Sequence, residues 1–281
     1  MPELPEVETV KNVLGPQIKG MQIEAVSVRC PNVIAHPAAD DFCTCLTGQH
    51  ILDMTRRGKF LNIRLESGDR IVLHLRMTGG LLLTAPAAPE EKHTHLVLTL
   101  RNETERKELR FADQRRFGRF WLLRAGETDT CTGMQKLGPE PFDHLTAAYL
   151  QAKLGRRRKA IKECLLDQTV IAGIGNIYAD EILFSVGIHP AAPADTLQPA
   201  AWAALAAKIP ERLSYFIEKN RITPEDYLLS KGKDYRNTPF LQVYGHAGEP
   251  CPLCGSPLCR TVIGGRGSVY CPTCQKTPSL R

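Results

Sequence analysis

No stretch of this 281-residue chain approaches the roughly 18 uncharged apolar residues that a helix needs to cross a bilayer, so no membrane partner is expected. The opening residues, Met1-Pro2-Glu3-Leu4-Pro5-Glu6, lack the basic and then apolar order of a signal peptide, and the expected location is the cytoplasm. Internal repeats and long low-complexity segments are also missing. Aromatic residues are scarce at 6%, beside 43% hydrophobic and 23% charged residues, which suits a soluble globular protein. The length allows two modest domains, each with its own core.

The ten cysteines lack the regular spacing of a disulfide framework. Cys30, Cys43, Cys45, Cys131 and Cys164 are scattered, whereas the other five crowd into the last 31 residues. In a cytosolic chain such a cluster points to a metal. Charge is uneven as well. Residues 1–150 carry 19 Lys plus Arg against 19 Asp plus Glu, and residues 151–281 carry 17 against 11, so the second half holds the whole net charge of +6. A basic half joined to a neutral half suits a polyanionic partner.

Hydrophobic periodicity divides the chain into three regions. After a short opening helix, residues up to about 130 read mostly as strands. Leu61, Ile63 and Leu65 alternate with Asn62, Arg64 and Glu66, the period of a half-buried strand. The alternation recurs at Leu73, Leu75 and Met77 and at Leu96, Leu98 and Leu100, with Gly79-Gly80 and Pro86-Ala-Ala-Pro89 as punctuation. An antiparallel sandwich or barrel is expected. From about 145 to 220 the period becomes helical. Tyr178, Ile182 and Val186 mark one helix, and Trp202, Leu205, Ile209, Leu213 and Ile217 another, which Pro210 should kink or divide. Residues 221–281 are rich in turns.

Cys251-Pro-Leu-Cys254 and Cys271-Pro-Thr-Cys274 are two C-x2-C pairs separated by 16 residues. A two-residue spacer lets one tight turn aim both thiolates at a tetrahedral ion, so Cys251, Cys254, Cys271 and Cys274 are the expected ligands of one zinc. Four thiolates leave no open position for water, which makes the site structural and argues against a zinc hydrolase. Cys259, between the pairs, is expected to be a bystander. Gly264-Gly-Arg266-Gly lies at the tip of the implied hairpin and offers an arginine to phosphate. Upstream, Ile171-Ala-Gly173-Ile-Gly175-Asn176 joins two helical patterns, with Asn176 suited to cap the second and its free amides suited to phosphate. The cations Arg156-Arg-Arg-Lys159 precede this turn.

At the N-terminus, removal of Met1 would leave Pro2 as a secondary amine. An α-amino group titrates near ~7.7–8.0, so part of it is nucleophilic at neutral pH. Attack on a sugar C1′ gives an iminium ion that acidifies the C2′ proton and permits strand elimination. Read without further context, the same residues would be a helix start with Pro5 and Glu6 in its first turn.

The run Pro2-Glu-Leu-Pro-Glu-Val-Glu-Thr9 resembles the opening of the formamidopyrimidine-DNA glycosylases, the bacterial 8-oxoguanine repair enzymes. The likeness runs the length of the chain through Arg56-Arg-Gly-Lys59, His74-Leu-Arg-Met77-Thr-Gly, Lys92-His93-Thr-His95, Asp113-Gln-Arg-Arg-Phe117-Gly, Leu137-Gly-Pro-Glu-Pro, Gly-Ile-Gly-Asn176, Gln242-Val-Tyr-Gly and the cysteine pairs. It implies an α+β multidomain fold. A catalytic antiparallel β-sandwich with a leading helix would span 1–130, followed by a linker over 131–148. A helix–two-turn–helix DNA-binding domain would span 149–220, a lesion-capping loop 221–245, and a zinc-finger hairpin 246–281. The implied activity is that of a bifunctional glycosylase and abasic-site lyase, acting as a monomer on duplex DNA that carries an oxidised purine or an abasic site.

The resemblance also implies roles. Pro2 would form the Schiff base, Glu3 would assist glycosidic and sugar-ring opening, Lys59 would serve β-elimination and Arg266 δ-elimination. His93, Arg115, Arg157, Lys162 and Asn176 would contact the DNA backbone. Met77, Arg115 and Phe117 would fill the gap left by the extruded base, an apolar wedge of a known kind. His74 and His95 receive no role. The sequence departs from the family at Arg76, usually glycine, and at Gln114, usually proline. It departs further at Asn220-Arg221, usually Gly-Gly, and over Gly232-Lys-Asp-Tyr-Arg-Asn, usually glycine-rich. Those last changes leave the pyrimidine-directed endonuclease VIII type as an alternative. A zinc-finger DNA-binding protein without catalysis is a second, but it gives no reason for Pro2, Glu3, Lys59 and Arg266 to occur together.

Overall fold

The computed structural model describes residues 2–232 and 235–276. Met1, the middle of the 232–237 departure (Lys233 and Asp234) and the end of the finger (277–281) lie outside the described residues. The chain divides into two compact units. One comprises 1–2, 6–135 and 220–236; the other comprises 3–5, 136–219 and 237–281. The boundary between Gln135 and Lys136 falls inside the stretch expected to be a linker.

The first unit opens with helix α1 (Leu4–Ile18), which has Glu6 in its first turn. Val7, Val10, Val13, Leu14 and Ile18 recur at helical spacing and are all buried, giving α1 one continuous apolar face. The strands are β1 (Gln22–Val28), β2 (Ile34–His36), β3 (Ile51–Arg57), β4 (Phe60–Leu65), β5 (Arg70–His74), β6 (Gly79–Thr84), β7 (Thr94–Arg101), β8 (Arg106–Asp113) and β9 (Arg119–Leu123), with helix α2 (Ala39–Leu46) between β2 and β3. They form a four-stranded sheet in the order β1-β7-β8-β6 and a five-stranded sheet in the order β2-β9-β5-β4-β3. Inward residues of both sheets share one core with α1, including Leu61, Ile63, Leu73, Leu98, Leu109, Phe111 and Phe120. This is the expected sandwich, with one exception to its antiparallel order: β2 pairs with β9 in parallel.

Strand β4 is less two-faced than its alternation suggests, because Asn62 is buried along with Leu61 and Ile63. Its Nδ2 reaches the Met134 sulfur at 3.9 Å. The expected capping region 221–245 is divided between the units. Within the first, helix α7 (Pro224–Leu229) starts at Thr223, whose side chain accepts from the Asp226 N–H. Tyr227 is buried in the sandwich core, and its hydroxyl donates to the Leu81 carbonyl at 2.9 Å.

The second unit contains α3 (Ala147–Leu154), α4 (Ile161–Leu165), α5 (Asn176–Ser185) and α6 (Pro199–Lys219), followed by the hairpin β10 (Cys259–Ile263) and β11 (Arg266–Tyr270). Helix α6 corrects two expectations. It is not divided at Pro210 but continues through it for 21 residues in all, and Phe216 rather than Ile217 completes its buried face. An interior proline costs about 3 kcal/mol. Trp202, Leu205, Ile209, Leu213 and Phe216 all enter one core, and their burial at ~1.5–3 kcal/mol each outweighs that cost.

Candidate active site

In the first unit Pro2 is buried. Lys59 sits in the two-residue turn that joins β3 to β4, where Arg57 pairs with Phe60 and Gly58 takes φ +56°. It is only 8% exposed, unusual for a lysine at a hairpin tip. The adjoining strand end is fixed by Glu8 of α1, whose carboxylate accepts from Arg56 Nε at 2.7 Å. Burial raises the Glu8 carboxyl, but hydrogen bonds from Lys11 and Arg56 overcome it and hold the group below the usual carboxylate range. Asn220, in place of the family's glycine, is buried and donates to Glu6 Oε1 at 3.3 Å. That departure therefore ties segment 220–236 to the first turn of α1.

The three expected wedge residues lie in the β5–β6 and β8–β9 loops at one end of this sandwich. Met77 is 43% exposed and Phe117 is 47% exposed, so neither is a core residue. The Arg115 guanidinium lies 4.7 Å above the Phe117 ring. Arg76 adopts φ +57°, the left-handed conformation that glycine takes readily, which explains why glycine suits this position. His93 is likewise left-handed at φ +69°. His74 is buried. Its Nδ1 accepts from the Arg76 N–H at 3.0 Å, and its ring meets Phe60 edge-on at 4.7 Å. Burial, then the charges of Arg76 and Lys59, pulls His74 down to about 3, so it is the neutral acceptor this bond requires.

In the second unit the N-terminus of α5 is built differently from the expectation. The Asn176 side chain does not cap the helix. The carboxylate of Glu3 does, accepting from the Gly175, Ile177 and Tyr178 N–H groups at 2.9, 2.9 and 3.3 Å. A carboxylate at a helix N-terminus satisfies orphan amides and meets the positive end of the dipole. Gly175 admits it, because a Cβ there would lie 2.3 Å from the Glu3 carboxyl carbon. The anion site read from the sequence is thus filled by a side chain of the chain itself.

Asn176 Nδ2 donates instead to the Gly267 carbonyl at 3.0 Å. Lys162 is fully buried; its Nζ donates to the same carbonyl at 3.1 Å and pairs with Asp180 at 2.7 Å. Burial pulls the Lys162 amine down and pushes the Asp180 carboxyl up, while their mutual attraction opposes both. Asp180 also accepts from the Ser268 hydroxyl at 2.6 Å and from the Val269 N–H at 3.0 Å. These bonds seat strand β11 and leave Arg266 exposed at its start. The turn before it, Gly264-Gly265, has φ +55° and +75°, as two-residue hairpins demand. Arg157 pairs with Asp167 at 2.8 Å on the surface.

The four cysteines named from the C-x2-C spacing come together. Their sulfurs all lie within 4.8 Å of one another, with Cys251–Cys274 at 3.9 Å and Cys254–Cys271 at 3.5 Å. A tetrahedral zinc with bonds of about 2.3 Å sets its sulfurs roughly 3.8 Å apart, so the cluster fits one structural zinc. Cys259 is outside the cluster and its thiol points to the Pro257 carbonyl. Sequence reading missed the partners of these groups. Glu3 and Gly175 are 172 residues apart, and no local pattern announces such a cap.

Comparison with known proteins matches three successive parts of the chain. Residues 1–120 match the model of the formamidopyrimidine-DNA glycosylase N-terminal domain, residues 137–226 that of the formamidopyrimidine-DNA glycosylase H2TH domain, and residues 248–277 that of the zinc finger found in FPG and IleRS. A formamidopyrimidine-DNA glycosylase of Pelotomaculum thermopropionicum is 44% identical over 277 residues, covering 98% of this chain and 99% of the relative. One from Bacillus subtilis is 39% identical over similar coverage. Among solved structures, the complex of Lactococcus lactis Fpg with DNA containing an abasic site superposes with a TM-score of 0.90 at 34% identity, covering 98% of this chain and 100% of that one. A complex of the same protein with DNA containing an oxidised pyrimidine gives 0.89.

Proposed function

Because the chain belongs to the formamidopyrimidine-DNA glycosylase family, we propose that its Pro2 amine is the nucleophile that excises oxidised purines, 8-oxoguanine and formamidopyrimidines, from duplex DNA. The protein is a DNA glycosylase of base excision repair, in a family whose members also cleave abasic sites. Loss of Met1 frees the Pro2 nitrogen. It bonds to C1′ as the glycosidic bond breaks, and the base departs with the bonding pair and the amine proton; the sugar ring then opens, O4′ leaving C1′ with its bonding pair and taking up a proton as the proline nitrogen lone pair forms the C=N bond. The resulting iminium makes the C2′ proton acidic. Its removal expels the 3′ phosphate, and a second elimination expels the 5′ phosphate.

Glu3 assists glycosidic and sugar-ring opening, Lys59 serves the first elimination and Arg266 the second. His93, Arg115 and Arg157 hold the DNA backbone, Lys162 and Asn176 act near phosphate through the Gly267 strand they support, and Met77, Arg115 and Phe117 occupy the gap left by the base. The observation that carries this reading is the fixed carboxylate of Glu3. Three backbone amides anchor the residue next to the nucleophile, and a solvated helix start has no use for such an arrangement. Work on the chromosome as a monomer in the bacterial cytoplasm fits this reading, since the matched relatives are bacterial DNA-repair enzymes.

Borohydride trapping tests it on a duplex with one 8-oxoguanine opposite cytosine, beside a Pro2→Gly variant and a duplex with an oxidised pyrimidine. A covalent adduct with 8-oxoguanine that the variant loses is the expected result. An adduct with the pyrimidine lesion alone would move the chain to the endonuclease VIII type of specificity. That outcome is worth a lane of its own, because a similar structure holds oxidised-pyrimidine DNA. No adduct with either lesion, despite tight binding, would remove the nucleophile from the proposal.

A further inference from the structure

We propose that the buried carboxylate of Asp113 is the positioning group of the wedge, joining the turn that carries Met77 to the loop that carries Arg115 and Phe117. This role rests on the wedge function proposed for those three residues. Asp113 ends β8 directly opposite Gly79, the first residue of β6, so the two loops leave the same edge of one sheet. The side chain is 1% exposed and its acceptors are filled from both loops. From the first loop, the Thr78 hydroxyl donates to Oδ1. From the second, the Arg115 N–H donates to Oδ1 at 3.1 Å and the Gly118 N–H to Oδ2 at 2.8 Å. The Arg115 N–H is shared with Thr78 Oγ1 at 3.2 Å, which closes the link between the loops.

The backbone of the same residue recruits a third loop. The Asp113 N–H donates to the His93 carbonyl at 3.0 Å, and its carbonyl accepts from His95 Nε2 at 2.8 Å. His93, Arg115, Thr78 beside Met77, and Gly118 beside Phe117 are thus all held by bonds that meet at one aspartate. His95, left without a role in the sequence, belongs to this arrangement.

The physical need is stiffness. Opening a base step costs a few kcal/mol, and the tips that enter it are exposed side chains on short loops. A loop free to yield would retreat before the stack opened. Hydrogen bonds to a buried charged acceptor are among the stronger ones available, and three of them at one carboxylate fix both loops relative to each other. The carboxylate oxygens are taken up by groups of the two loops, so it acts through the wedge and not on the reacting atoms.

Thr78→Val, Thr78→Ser and Asp113→Asn test this, with Met77→Ala as reference. Three readouts are taken for each protein. They are excision of 8-oxoguanine from duplex DNA, fluorescence of a 2-aminopurine beside the lesion that reports unstacking, and borohydride trapping on a single strand with a preformed abasic site, which needs no wedge. Thr78→Val is expected to lower duplex excision about ten-fold and to suppress the fluorescence rise, with single-strand trapping within two-fold of wild type; Thr78→Ser restores both. Asp113→Asn loses at least as much. Should Asp113→Asn fail to fold, the Val and Ser pair still decides. If Met77→Ala is impaired while Thr78→Val behaves as wild type in duplex excision and fluorescence, the clamp is wrong and the wedge stands. If Met77→Ala and Thr78→Val are both normal, the wedge reading itself fails and the clamp with it.

Discussion

Around Asp113 in the sandwich, and around Glu3 and Asp180 in the helical unit, buried carboxylates fasten candidate site residues, but over very different lengths of chain. In the sandwich the proposed wedge side chains Met77, Arg115 and Phe117 are exposed, and the short loops that carry them are fastened by bonds spanning 37 residues or fewer around Asp113. In the helical unit the buried carboxylates of Glu3 and Asp180 are tied to distant segments, and their bonds to Gly175, Ile177, Tyr178 and Ser268 span 88 to 175 residues. Local bonds survive small rearrangements of the rest of a domain. Bonds between distant segments are lost when those segments shift, and a carboxylate that then loses its partner in a dry interior has nothing else to bind. The helical unit should therefore be the brittle one.

Zinc removal tests that contrast most severely. Structural zinc contributes about 10–16 kcal/mol in small finger peptides, and the finger's core around Val243, Cys251, Leu258 and Val269 is small. Chelation or Cys254→Ser should abolish DNA binding and expose the amides of residues 248–276 to hydrogen exchange, with those of β4 to β8 still protected. Normal DNA binding by the variant would show that the metal does not hold the hairpin.

Next in size is the buried pair. Asp180→Ala leaves Lys162 enclosed without its counter-charge, a change that costs about 3–5 kcal/mol. Urea unfolding measures it, and Lys162→Met combined with Asp180→Leu should recover much of the loss. A single variant as stable as wild type would show that this pair does not hold β11 in its seat. In the sandwich, Tyr227→Phe removes only the hydroxyl bonded to the Leu81 carbonyl and should cost about 1 kcal/mol. A loss as large as that of Asp180→Ala would erase the difference between the units.

A last test is a pH dependence. His74 is held neutral when folded, down to about 3, against an ordinary 6.5. Its contribution is complete above 6.5 and is lost as pH falls from 6.5 toward 3, because the unfolded chain takes up the proton first. Wild type should lose stability more steeply over that window than His74→Asn, whose amide oxygen replaces Nδ1 as acceptor without titrating. Parallel slopes would mean that His74 is not a buried neutral ring.

How much was legible depended on separation along the chain. The alternation at Leu61, Ile63 and Leu65 gave the strand and its buried side, though not the burial of Asn62 on the other. The C-x2-C pairs named the four cysteines that meet, since two residues of chain suffice to aim a pair of thiols. Pro210 misled, because the cost of one proline is local and visible whereas the core that overrides it is neither. Asn176 misled for a related reason: a good capping residue stands there, but the cap arrives from position 3.

The amino-acid order by itself determined what depends on near neighbours: the strand and helix periods, the glycine turn at 264–265, the zinc ligands, and the likeness that identifies the chemistry. Only the tertiary structure decided which charges are buried and with whom. Glu3 belongs to α5, Lys162 to Asp180, Asn220 to Glu6, and three loops belong to Asp113. The reason is that a hydrogen bond between distant residues has a large free energy only once packing has excluded water from it, and no pattern in sequence records where water will be excluded.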